Sequence, residues 1–175
     1  MRSYIWNMLL LLLCLICFGS GSAAQFKSVT IGVDGLTCSS CSFGVEQSVR
    51  KLDFVQEVKP DLNAATATVS FQPDKKISID ELVRKVYQAG FSVRFVKAVY
   101  HFHQPTLPLN DTLIINKDVF YFLNPPSSFL KDDVTLELIS EKYVAKKVFK
   151  RWEQQIQLAQ LKYPQLRSDS YFVLL

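Results

Sequence analysis

The chain has 175 residues, 49% of them hydrophobic and 21% charged, with a formal net charge of +4. That is enough apolar material for one ordinary domain or two small ones, and it excludes a disordered or low-complexity chain. The positive charge is modest and spread along the sequence rather than gathered into a basic stripe, which argues against a nucleic-acid partner.

The first segment in chain order is a leader. Residues 1–24, MRSYIWNMLLLLLCLICFGSGSAA, carry one basic residue, Arg2, then an apolar run from Met8 to Phe18, then small residues ending in Ser22, Ala23 and Ala24. This three-part layout is that of a secretory signal peptide cleaved before Gln25. The apolar run covers 11 residues, short of the about 20 that cross a bilayer. An uncleaved N-terminal anchor is the alternative. Cys14 and Cys17 are passengers of the run, since Leu13 and Ile16 stand where a lipidated cysteine needs a small neighbour. No later stretch reaches the roughly 18 consecutive apolar residues of a spanning helix. The mature chain is therefore expected to be exported, periplasmic or secreted, with no stable membrane insertion.

From Gln25 the hydrophobic period switches in a regular way. Val29, Ile31 and Val33 alternate and predict a half-buried strand, closed by Asp34-Gly35. Val45, Val49 and Leu52 fall at helical spacing after a short loop holding Cys38 and Cys41. FVQEVKPDL and AATATVSF predict two strands around a turn at Asp61 to Asn63. SIDELVRKVYQAG returns to helical period, with Ser78 and Glu81 as a capping box and Gly90 as terminator. FSVRFVKAVYHF predicts a long strand. The resulting order, βαββαβ, has one common solution, a ferredoxin-like α+β sandwich with both helices on one face of a four-stranded antiparallel sheet.

QPTLPLN, with two prolines and an asparagine, breaks the pattern and predicts a linker at 101–110. Beyond it, DTLIINKDVFYFLN and VTLELIS read as strands, EKYVAKKVFKRWEQQIQLAQLK as a long amphipathic helix with Val144, Val148, Trp152 and Ile156 four apart, and SYFVLL as a terminal strand. Residues 111–175 thus have β-β-α-β content, either a small mixed α+β domain or an extension of the first sheet. Asn110-Asp111-Thr112 fits an N-glycosylation acceptor.

The stretch GLTCSSC, Gly35 to Cys41, carries the chemistry. A thiol pair three positions apart at a helix start fits a metal clamp, a redox pair or a plain disulfide, and export to an oxidising compartment favours the disulfide unless a metal or reductant intervenes. Unsatisfied N–H groups and the helix dipole favour a thiolate at Cys41, and Cys38 on the loop can turn to the same point. Two thiolates without a third protein ligand suit a soft ion, Cu(I) or Hg(II), better than Zn(II), which takes four ligands.

GLTCSSCSFGVEQSVRKLDFVQEVKPDLNAATATVSF, with IDELVRKVYQAGFSV, closely resembles the heavy-metal-associated domain of copper chaperones, copper-pump N-terminal modules and the periplasmic mercury carrier. The likeness covers about Phe26 to Lys97, and places such a domain at 25–100. It implies Cys38 and Cys41 as the metal ligands and Phe91 as an aromatic bordering the metal loop. Leu36 stands where the family usually has Met; that side chain packs into the core in the family, so Leu is a swap of similar volume. Thr37 is expected to bond within the loop and help set its shape.

His101 and His103 share a strand face, a spacing that can chelate. About ten residues of strand at about 3.3 Å each put His101 roughly 33 Å from the cysteines, so they cannot complete that site. Polar residues at a strand exit are one reading of the pair, a weak second site for Cu(II) or Zn(II) the other. Lys142, Lys146, Lys147, Lys150 and Arg151 form either a solvated helix face or a docking patch for an acidic partner or lipid headgroups. No catalytic constellation stands out in the second half. The sum is an exported soluble heavy-metal-binding protein that is not an enzyme. It is expected to carry Cu(I), with Hg(II) or another soft metal as the other occupant, for metal resistance or for transfer to a metal transporter or cuproprotein acceptor. The competing readings are a thiol–disulfide oxidoreductase and an interaction module with a structural disulfide.

Overall fold

The structure, a computed structural model, describes residues 26–108, 111–115, 118–164 and 170–175. The expected leader at 1–24, and with it Cys14 and Cys17, lies outside the described residues, as does Asn110 of the glycosylation acceptor.

The first half follows the periodicity. Strand β1 (Phe26–Asp34) is followed by α1 (Ser39–Val49), β2 (Val55–Asp61), β3 (Thr66–Phe71), α2 (Ile79–Gln88) and β4 (Ser92–Thr106). Strand β1 lies between β3 and β4, antiparallel to both, and β2 pairs with β3, which gives the order β2-β3-β1-β4 of a ferredoxin-like sandwich. Val29, Ile31, Val69, Val96 and Ala98 on the sheet and Val49, Leu82 and Val86 on the helices are sealed from solvent in one core. On the other side half-buried Thr30 and Thr68 bond to each other across β1 and β3 at 3.1 Å, as cross-strand threonine pairs do. The serine half of the capping box forms on α2. The Ser78 hydroxyl accepts from the Glu81 N–H at 3.3 Å, and Asp80 and Glu81 lie in the positive first turn. Gly90, at φ +89°, closes the helix.

The second half adds β5 (Thr112–Ile115), β6 (Asp118–Phe122), β7 (Leu130–Ile139), α3 (Lys146–Lys162) and β8 (Ser170–Leu174). These strands extend the first sheet instead of building a separate unit. Among the described residues there is one sheet, ordered β2-β3-β1-β4-β7-β8-β6-β5. The boundary expected at 101–110 is crossed by β4, which pairs with β7 from Val96↔Leu138 to Thr106↔Leu130. Pro105 lies inside this strand at a shift of register between Phe102 and Thr106, a place where a residue without an N–H is tolerated. The stretch DTLIINKDVFYF, which reads as one strand, divides into the antiparallel pair β5 and β6.

The extended sheet is strongly coiled. Phe26 on β1 and Phe120 on β6 are four strand spacings apart, roughly 19 Å in a flat sheet, yet their ring centroids are 6.1 Å apart. Phe120 also meets Tyr100 at 5.0 Å, and Phe26 meets Tyr171 at 5.5 Å. The helix-covered face therefore curls around an aromatic cluster of Phe26, Tyr100, Phe120 and Tyr171, most of it in edge-on geometry, the arrangement aromatic quadrupoles prefer. By strand alternation Tyr121 and Phe172 point to the other face, where Tyr121 meets both Phe172 and Tyr163, at the end of α3.

Helix α3 starts later than its apolar spacing suggests. Residues 140–145 form turns instead, because tertiary bonds claim them. Tyr143 donates its hydroxyl to Asp80 at 3.1 Å, Tyr87 donates to the Lys142 carbonyl, and the Ala145 N–H donates to the Arg94 carbonyl. Burial, and then the charge of Asp80, hold the Tyr143 hydroxyl far above the usual phenol range, so it stays a donor.

Because the aromatic cluster joins both halves, Phe120→Ala is expected to cost about 3–5 kcal/mol and to lower stability in one cooperative urea transition seen alike by far-ultraviolet and aromatic near-ultraviolet dichroism. A separate early transition would show that β5–β8 melt on their own.

Candidate metal centre

The site begins where β1 ends. Asp34 pairs with Ser92 at the start of β4, and Gly35 then turns the chain at φ +81°, a conformation that only glycine adopts at little cost. The Thr37 N–H donates to the Gly35 carbonyl at 2.9 Å and tightens the loop; the bond comes from the Thr37 main chain, with its side chain exposed. Leu36 is fully buried and anchors the loop in the core. Phe91 is half-buried at the rim, its ring edge 3.9 Å from where a Cβ on Gly35 would stand. Arg94 lies close to Asp34 at 3.4 Å and donates to the Ala64 carbonyl at 3.2 Å, tying the loop end of the sheet together.

Cys38 is the N-cap of α1. Its sulfur accepts the Cys41 N–H at 3.2 Å and lies 3.1 Å from the Ser40 hydroxyl. The first turn of α1 holds no acidic residue, so the positive helix end is left to act on the sulfurs, and it stabilises thiolate over thiol. The two cysteines have Cα atoms 5.1 Å apart and their sulfurs are joined as a disulfide. Both side chains are half-buried. On reduction the same geometry leaves two sulfurs directed to one point at the surface. Among the described residues no group of three or more His, Cys, Asp or Glu is placed to hold a metal ion, so the loop offers two sulfur ligands without a protein-built tetrahedral set.

Phe43 belongs to the surroundings of the loop without any motif to mark it. It lies two residues beyond Cys41 and is 61% exposed, an apolar shoulder beside the loop. The available signal was its position off the Val45–Val49–Leu52 stripe, which sends a large aromatic towards solvent. His101 and His103 lie at the opposite end of β4 from the cysteines, past the Phe26↔Tyr100 pair. Lys146, Lys147, Lys150 and Arg151 are exposed along α3, while Lys142 lies 3.7 Å from Asp80. No helix among the described residues is long and apolar enough to cross a membrane.

Comparison with known proteins bears on this loop. The family model of the heavy-metal-associated domain matches residues 30–92. A mercuric transport protein periplasmic component of Pseudomonas fluorescens is 34% identical over 68 residues, which are 39% of this chain and 74% of that protein. A copper-exporting P-type ATPase of Staphylococcus saprophyticus is 35% identical over 69 residues, 38% of this chain and 8% of the ATPase; this chain therefore corresponds to a small part of such pumps. Among solved structures, oxidised MerP from Ralstonia metallidurans CH34 is 34% identical, covering 41% of this chain and 97% of that one, with a TM-score of 0.35.

Two glycines test the local account. Gly35→Ala is expected to cost about 1–2 kcal/mol from the positive φ alone, since a Cβ there meets only ordinary contact. Gly44→Ala, inside α1 with nothing within 4 Å of the new Cβ, should instead stabilise by about 0.5–1 kcal/mol. Chemical denaturation of both variants checks the opposite signs.

Proposed function

The chain belongs to the heavy-metal-associated domain family, and from that premise we propose that it is an exported carrier that holds one soft metal ion, Cu(I), between Cys38 and Cys41 and passes it to a transporter or cuproprotein acceptor. The observation that carries the reading is the pair of sulfurs closed on one another at the N-terminus of α1, with no third ligand placed beside them among the described residues. Two-coordinate thiolate binding suits Cu(I), and Hg(II) satisfies the same geometry. The named relatives, a mercuric transport component and copper-exporting pumps, handle these two metals.

The disulfide defines what the carrier needs first. Two electrons and two protons from a reductant convert it to two thiols, and binding of Cu(I) then releases the protons. An exposed loop lets an acceptor's thiolate add to the ion before Cys38 or Cys41 departs. Transfer then proceeds by exchange, with no free ion in solution. The signal-like leader supports export to the periplasm or beyond, where the pair serves only while a reductant or the metal itself keeps it open.

Titration of reduced protein against a Cu(I) chelator should give one ion per chain, with Cys38→Ser and Cys41→Ser each abolishing binding and the oxidised protein taking none. Failure of the reduced protein to compete would overturn the proposal. The closed Cys38–Cys41 bond favours one other reading, a docking module with a permanent disulfide. Intact mass of protein taken from its own compartment separates the two: loss of two protons without metal supports the docking module.

A further inference from the structure

We propose that His101 and His103 form a second cation site, independent of the cysteine loop, which takes a borderline divalent ion such as Zn(II) or Cu(II) on the face of the sheet that α1 and α2 leave uncovered. Three features of the structure support it. The first is spacing. The two imidazole rings have centroids 4.8 Å apart. A Zn–N bond of about 2.0 Å plus roughly 1.1 Å from nitrogen to ring centre puts two imidazoles that share a tetrahedral ion roughly 5 Å apart. The pair already has the separation of a chelate.

The second is orientation. His101 is directly opposite Asp133 in the β4–β7 register, and its Nδ1 lies 2.6 Å from the Asp133 carboxylate. A carboxylate is an acceptor, so Nδ1 carries the proton and Nε2 is left with its lone pair on the far side of the ring. This carboxylate–histidine pairing is the device that orients metal-binding imidazoles and raises their basicity. Lys27 holds the other Asp133 oxygen at 2.6 Å, which makes Asp133 a positioning residue for His101 and keeps it from acting as a ligand.

The third is access. The His101 side chain is 38% exposed and His103 is exposed, so the remaining coordination positions are filled by water. Two imidazole nitrogens suit Zn(II) and Cu(II) and disfavour Mg(II) and Ca(II). The site therefore differs in metal preference from the thiolate loop at the other end of β4.

The chain contains only two histidines, which makes the test clean. Zn(II) is titrated by calorimetry into the full chain with Cys14 and Cys17 replaced by serine and the Cys38–Cys41 disulfide intact, so that no thiol can contribute. Saturable binding of one ion per chain is expected, with the side-chain nitrogen resonances of both histidines shifting and Mg(II) without effect. His103→Gln should remove the binding, and Asp133→Asn should weaken it roughly ten- to hundredfold while His101 loses its fixed tautomer. No saturable binding, or binding unchanged in His103→Gln, overturns the site and leaves the Cu(I) reading of the reduced cysteines untouched.

Discussion

Strand β4 is the member on which the rest of the structure depends. It is one strand with two partners, β1 along its first part and β7 along its far side, and its inward residues Val96, Ala98, Tyr100 and Phe102 run through both halves of the core. In an isolated ferredoxin-like unit of order β2-β3-β1-β4, this edge carries unpaired N–H and C=O groups, a template for unwanted pairing. Here β7 occupies it. The length of β4 has a second effect, since Tyr100 and Phe102 extend beyond the cover of α1 and α2 and need the rings of β6 and β8 to bury them. The coil of the extended sheet supplies those rings by folding its distal strands back over the same apolar face.

This arrangement keeps the cysteine loop free while making its surroundings rigid. The loop lies at the beginning of β4, held by Leu36 in the core and by Gly35 at its positive φ, and the added strands pair on the far side of β4. Their link to that end is indirect: the Ala145 N–H on the Arg94 carbonyl, and Tyr143 and Lys142 against the first turn of α2. The exposed charges there contribute little each; the buried Tyr143 hydroxyl, with a polar group to satisfy, fixes the geometry more firmly. Segment 140–145 thus braces α2 without covering Cys38, Cys41 or Phe43.

The two proposed cation positions on this frame are separated by chemistry as well as by distance. At one end, sulfur ligands and a helix N-terminus suit a soft monovalent ion and respond to reductant. At the other, imidazoles across from a carboxylate suit a borderline divalent ion and are indifferent to reductant. A long strand with unlike ends is a simple way to keep two such proposed sites from competing.

Local pattern determined a large part of this. The alternation in β1, the N-cap at Ser78, Gly90 as terminator and the thiol pair before a helix were all legible, because each depends on neighbours within a few residues. The cysteine loop was legible for the same reason, its two thiols lying three positions apart on one turn. What lay beyond the sequence was every relation between distant segments: that 111–175 continue the sheet, that Pro105 is absorbed at a register shift, that residues 140–145 leave the helical pattern for bonds to α2, and that Asp133 faces His101. Strand register and sheet order are set by which apolar faces can be buried together over the whole chain, a balance with no local signature. Only the tertiary structure decided it, by curling one sheet around Phe26, Tyr100, Phe120 and Tyr171.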